Sequence, residues 1–246
     1  MHLLPHPQSD VTIHLNYSEQ RGGIGEMSDN QGGHHGVGSA NATIQTDFEL
    51  SLVDASMIAI LRGLSPDATT SIALELRSLG VQFIEVTIQD EQGELALRQT
   101  IQDWPTGPQR IGAGSIISTA LARRAIDDGA EFLVSPGLSA EVIAAADDAH
   151  IPILAGVATP SEVQQAASLG LTAVKLFPAA QLGGPAYLRA LAGPFPTMKF
   201  IPTGGVNFEN AQAYLTAGAL TVGIGGELTQ PSGLEALRRW INRRTP

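Results

Sequence analysis

The chain has 246 residues, 24 of them acidic against 14 basic, a formal net charge of -10 and no cysteine. The negative surplus argues against nucleic acid or an anionic membrane as a partner. The lack of cysteine excludes disulfides and thiolate metal sites, and no apolar run reaches membrane-spanning length.

Met1 to Pro5 has neither the charged start nor the apolar core of a secretion signal, so a cytoplasmic protein is expected. Residues 1–50 read as a disordered N-terminal extension. Asp10, Glu19, Glu26, Asp29 and Asp47 face Arg21, apolar periodicity is weak, and glycine clusters at 22–25 and 32–36. His2, His6, His14, His34 and His35 lie here, but their spacing is irregular, and no metal is expected.

Residues 51–246 read as one folded domain with a regular beat. Met57–Arg62 is a short apolar run. Ser65-Pro66-Asp67 then supplies an N-cap with proline at the first helical position, and Gly80 stops the helix. The unit recurs as strand 83–88 with helix 91–104, strand 110–115 with helix 118–128, and strand 132–135 with helix 139–149. It continues as strand 152–157 with helix 160–169, and strand 173–177 with a short helix at 187–191. Strand 199–202 with helix 208–217 and strand 221–224 with helix 233–243 complete the count. Alternation of this kind implies parallel strands joined by right-handed crossovers. Eight units predict an α/β fold of the (β/α)8 TIM-barrel type. The open doubly wound sheet is the rival, but no dinucleotide fingerprint opens the first helix.

In such a barrel the active site lies at the C-terminal ends of the strands. Polar and glycine-rich pieces fall there: Arg62-Gly63, Glu85-Val86-Thr87, Gly112-Ala113-Gly114-Ser115, Ser135-Pro136-Gly137, Lys175, Thr203-Gly204-Gly205 and Gly225-Gly226-Glu227. Lys175 sits between Val174 and Leu176 and is one of only two lysines; the other, Lys199, begins its strand and belongs to the opposite end. An amine taken out of water sheds its proton more readily and can then attack a carbonyl to form a Schiff base. The plainer alternative is a lysine lying along apolar surface with its head in water. Glu85 shares strand parity with Phe83 and Thr87, so it faces the same side of the sheet. It is either a general acid/base or half of a structural ion pair, with Arg62 as one partner. The glycine pairs after the seventh and eighth strands suit backbone contacts to phosphate or another anion, although turns also need glycine.

Taken in order, these motifs, with Lys175-Leu176-Phe177-Pro178-Ala179 and Pro202-Thr203-Gly204-Gly205-Val206, resemble the 2-keto-3-deoxy-6-phosphogluconate aldolases. The resemblance extends to the related phosphogalactonate and 4-hydroxy-2-oxoglutarate aldolases and runs from about Ala55 to Thr229. It implies a homotrimeric class I aldolase without metal or cofactor. Such an enzyme cleaves a 2-keto-3-deoxy (phospho)sugar acid to pyruvate and an aldehyde, as in Entner–Doudoroff carbohydrate metabolism. By the resemblance Lys175 forms the imine and Glu85 moves the protons. Arg62, Thr87, Gln89, Ser115, Pro136 and Phe177 are then expected around the keto acid. Gly204, Gly205, Gly225, Gly226 and Glu227 are expected around its far end. Ser115 replaces the usual threonine and keeps the hydroxyl. Gln89 stands where an acid-binding arginine is common, and Arg62 is the available substitute. Glu227 stands where phosphate-binding members carry serine. A carboxylate there either turns away or marks an unphosphorylated substrate.

Overall fold

A computed structural model describes residues 37–230 and 232–244. Its elements run α1 (Val37–Val53), β1 (Ile58–Leu61), α2 (Pro66–Ser78), β2 (Phe83–Thr87), α3 (Glu91–Gln102) and β3 (Arg110–Gly114). There follow α4 (Thr119–Asp127), β4 (Leu133–Val134), α5 (Ala140–Asp148), β5 (Ile153–Leu154), β6 (Gly156–Val157) and α6 (Pro160–Ser168). The chain ends with β7 (Ala173–Leu176), α7 (Gly184–Ala192), β8 (Lys199–Pro202), α8 (Ala211–Thr216), β9 (Gly223–Ile224) and α9 (Gly233–Arg244).

All strand pairs are parallel, in the orders β5-β4-β3-β2-β1-β9 and β6-β7-β8. This is the expected (β/α)8 architecture with one strand divided. The run 152–157, expected as a single strand, breaks at Ala155 into β5 and β6, which pair with different neighbours. The Ala155 carbonyl accepts from Lys175 N at 2.9 Å, so backbone pairing continues toward β7 through the break. A bridge between Thr203 and Gly223 links the β8 and β9 edges.

Local chemistry sets the helix starts. Ser65, Asp90, Ser118, Ser139 and Thr159 each accept a backbone N–H with the side chain at a helix N-cap. At 159 the arrangement is a full capping box with Glu162. Gly80, Gly129, Gly170 and Gly218 take positive φ where helices end and strands are about to begin.

Two apolar clusters follow from strand parity. One fills the layer between sheet and outer helices. The other fills the barrel interior with Ile58, Phe83, Phe132, Val134, Leu154, Ala173 and Ile201, and α1 contributes Phe48 and Leu52 to it. Phe48, Phe83 and Phe132 form a triangle of rings with centroids 5.4 to 5.8 Å apart. Gln45 binds the Ile153 backbone twice, donating to its carbonyl at 3.1 Å and accepting from its N–H at 3.3 Å.

The disordered extension was expected to reach residue 50, and this boundary falls inside α1. Residues 44–50 therefore belong with the folded domain, because Phe48 is 1 % exposed and completes a core that the strands leave open. The remainder of that expectation, residues 1–36, lies outside the described residues. Among the described residues no helix is long and apolar enough to cross a membrane.

Candidate active site

Strand register assembles the centre of the site. Phe83 pairs with Ile58, and Glu85, two residues on, pairs with Ile60 and Gly112. Glu85 thus points inward one layer above Phe83, as parity predicts. Ala173 lies in the interior cluster, and Lys175 points inward two residues further along β7. Lys175 Nζ stands 3.6 Å from Glu85 Oε1, and the two side chains are 5 % and 2 % exposed. The partner of Glu85 is therefore Lys175, and the alternative pairing with Arg62 is not formed. Glu85 Oε1 has no hydrogen-bond partner among the described residues. A buried carboxylate oxygen left without a hydrogen bond is costly in a purely structural role and available to a reacting molecule.

Lys175 Nζ also lies 5.4 Å from the ring centroid of Phe177. Phe177 precedes a cis peptide bond to Pro178. Its side chain bounds two cavities at the C-terminal ends of the strands, and so does Arg62. The larger cavity, about 940 Å³, brings Arg62, Gln89, Ser115, Pro136 and Phe177 together. Ser115 takes a left-handed backbone, φ 62°, directly after β3. The smaller cavity, about 300 Å³, gathers Gly204, Gly205, Gly225 and Gly226 with Arg62, Thr203 and Thr229. Lys199 lies exposed at the start of β8, away from this end.

Two expected site residues stand apart. The Thr87 hydroxyl donates to the Leu61 carbonyl at 3.2 Å, and the residue lines a separate space between β1, β2 and the first turns of α2 and α3. Glu227 turns away from the glycines: its Oε2 accepts from Phe208 N at 2.9 Å, and the residue does not line the smaller cavity. Gly114 has a role that its motif did not reveal. A Cβ there would fall on the Glu85 carboxylate. Thr203 and Thr229 were likewise not singled out as lining residues, although each stands within three residues of a glycine turn. Among the described residues no group of three or more His, Cys, Asp or Glu could hold a metal ion.

A parallel barrel with a buried lysine–glutamate pair near its C-terminal cavities is the arrangement that an imine-forming barrel lyase requires. The family profile "KDPG and KHG aldolase" matches residues 49–238, and the chain belongs to that family. It is 40 % identical over 136 residues to the 2-dehydro-3-deoxy-phosphogluconate aldolase of Pseudomonas aeruginosa, covering 55 % of this chain and 61 % of the relative. It is 31 % identical over 192 residues to the KHG/KDPG aldolase of Escherichia coli strain K12, covering 78 % and 89 %. The KDPG aldolase of Legionella pneumophila, solved with pyruvate captured as a covalent carbinolamine, superposes with a TM-score of 0.68 at 30 % identity. That match covers 79 % of this chain and 95 % of the other.

Proposed function

We propose that this protein is a class I aldolase that cleaves a 2-keto-3-deoxy-6-phospho sugar acid to pyruvate and glyceraldehyde 3-phosphate. The observation that carries the reading is the buried pair of Lys175 and Glu85, 3.6 Å apart. The uncharged Lys175 amine attacks the C2 carbonyl. The carbinolamine loses water with a proton supplied by Glu85, leaving an iminium that draws electrons from C3. Removal of the C4 hydroxyl proton breaks the C3–C4 bond, releases the aldehyde and leaves an enamine. Protonation at C3 and hydrolysis then return pyruvate and the free lysine. One mobile carboxyl can serve each proton transfer in turn, and Glu85 Oε1 has no competing hydrogen bond among the described residues.

Arg62, Ser115 and Pro136 hold the keto-acid end in the larger cavity, with Gln89 at its edge. The phosphate sits in the smaller cavity, against the N–H groups of the glycine turns after β8 and β9. That Glu227 faces elsewhere removes the main electrostatic objection to a phosphate there. The unphosphorylated 4-hydroxy-2-oxoglutarate, cleaved to pyruvate and glyoxylate, is the second substrate, in keeping with the name of the Escherichia coli relative. We further propose a cytoplasmic homotrimer, on the family resemblance.

The test is borohydride reduction in the presence of pyruvate. A covalent adduct on Lys175, absent from Lys175→Arg, is expected, because arginine stays charged and forms no imine. No adduct under saturating pyruvate, or cleavage by purified Lys175→Arg, would remove the assignment. Sedimentation as a stable monomer at micromolar concentration would remove the trimer.

A further inference from the structure

Glu227 faces away from the cavity where the resemblance places it, and the geometry of the two glycine turns gives it another role. A planar trans peptide points its carbonyl and the following N–H in opposite directions. The Gly204 carbonyl accepts from Ala180 N at 3.0 Å, so the Gly205 N–H is turned the other way. The Gly225 carbonyl accepts from Leu228 N at 3.0 Å, which turns the Gly226 N–H away in the same fashion. The Gly226 carbonyl accepts from the Thr229 hydroxyl at 3.3 Å and orients the Glu227 N–H likewise. These N–H groups have no protein acceptor among the described residues, and both turns line one cavity of about 300 Å³.

Two tethers hold the turns to a single loop. On one side Asn210 Nδ2 donates to the Gly205 carbonyl at 2.9 Å. On the other, Glu227 Oε2 accepts from Phe208 N at 2.9 Å. The loop between them is itself stiffened, since Asn207 Oδ1 accepts from both Glu209 N and Asn210 N. Glu227 thus supplies a side-chain bond across the seam between β8 and β9, where the sheet contributes the Thr203–Gly223 bridge. A carboxylate on a backbone N–H forms a strong, charge-assisted bond.

We propose that Glu227 is a positioning residue for the phosphate subsite: its bond to Phe208 N locks the β9 turn to the β8 loop at the spacing a phosphate needs. The residue does not contact the ligand. It sets the distance between two groups of N–H donors that do, and donor geometry of this kind is lost with small displacements. This rests on the reading of the substrate as a phosphorylated keto acid.

The experiment compares Glu227→Ala and Glu227→Gln with the parent. The glutamine oxygen can still accept from Phe208 N; alanine cannot. Measurements are kcat and KM for the phosphorylated and unphosphorylated keto acids, inhibition by inorganic phosphate, hydrogen exchange at the Phe208 amide, and borohydride trapping of pyruvate. For Glu227→Ala the expected result is about a tenfold rise in KM for the phosphorylated acid and in the inhibition constant of phosphate. The kcat and the KM for the unphosphorylated acid stay within about twofold, and Phe208 exchange accelerates. Glu227→Gln restores phosphate affinity to within about threefold of the parent and keeps Phe208 protected. Parent-like or improved phosphate affinity in Glu227→Ala would overturn the proposal. So would equal losses in both variants, or equal losses for both substrates. A parent indifferent to phosphate that still traps pyruvate would remove the phosphate subsite, and the positioning role with it, while leaving the aldolase standing. A parent that traps no pyruvate would remove the aldolase reading instead.

Discussion

The Glu85 carboxylate fills the space that a side chain on Gly114 would need: a Cβ there would fall on it. The carboxylate can lie where it does, 3.6 Å from Lys175 Nζ, because Gly114, which pairs with Thr87, leaves that space open. Gly112, two residues earlier, is bare for a different reason, since its Cβ would meet the ring of Phe132. Gly114→Ala should therefore displace the Glu85 carboxylate and, on the general acid/base role proposed for it, lower kcat/KM of the folded enzyme by about a hundredfold. Gly112→Ala should act chiefly on stability, through the aromatic core. Urea melts and kinetics on the folded fraction separate the two. Unchanged kcat/KM in folded Gly114→Ala would show that the position of Glu85 does not govern the chemistry.

Phe48 closes the interior core against Phe83 and Phe132, and it belongs to a segment that composition marks as tail. Phe48→Ala should cost about 3–5 kcal/mol of unfolding free energy. Activity in the folded state should stay within about twofold, because Phe48 sits in the interior cluster below the layer of Lys175 and Glu85. A change in the urea midpoint equivalent to less than about 1 kcal/mol would show that α1 is dispensable.

Arg62 lines both cavities, and Gln89 lines the larger one with it. The nearby Arg124 is committed to Glu94 at 2.8 Å. Arg62→Met should raise KM for the keto acid by at least about tenfold, close to 1.4 kcal/mol of lost binding. Adding Gln89→Arg to that variant should recover part of the loss. Steady-state kinetics on the single and double variants decide it; full affinity in Arg62→Met alone would mean that the acid is bound elsewhere.

Glu162 gives a pH-dependent contribution to stability. Partial burial by itself would raise its pKa, but bonds from Ala158 N, the Thr159 hydroxyl and Thr159 N outweigh this and hold it below 4.5. A folded-state value below the unfolded one contributes stability that is present above 4.5 and lost as pH falls through the depressed value. Melting temperature measured through the acid range should fall less steeply for Glu162→Gln than for the parent. Parallel curves would mean that the box does not couple to unfolding.

Much of this protein can be read along the chain because the information is local. N-cap serines, stop glycines and eight alternations of period place the elements. Strand parity points Glu85 inward, whereas the apolar bracket around Lys175 fits a buried amine or one reaching for water, and the fold buries it. Tertiary structure decided what depends on residues far apart in sequence. That Glu85 pairs with Lys175 and not Arg62 required β2 and β7, which lie in different sheets, to face each other. That Glu227 binds Phe208 N required the turns after β8 and β9 to meet. The helix α1 shows the reason most clearly. Gln45, Phe48 and Leu52 share one face at helical spacing, but three residues in a polar stretch carry too little apolar area to specify a helix alone. They become a core element only because eight strands leave an open end lined by Phe83 and Phe132, and burying Phe48 there supplies what the segment lacks by itself.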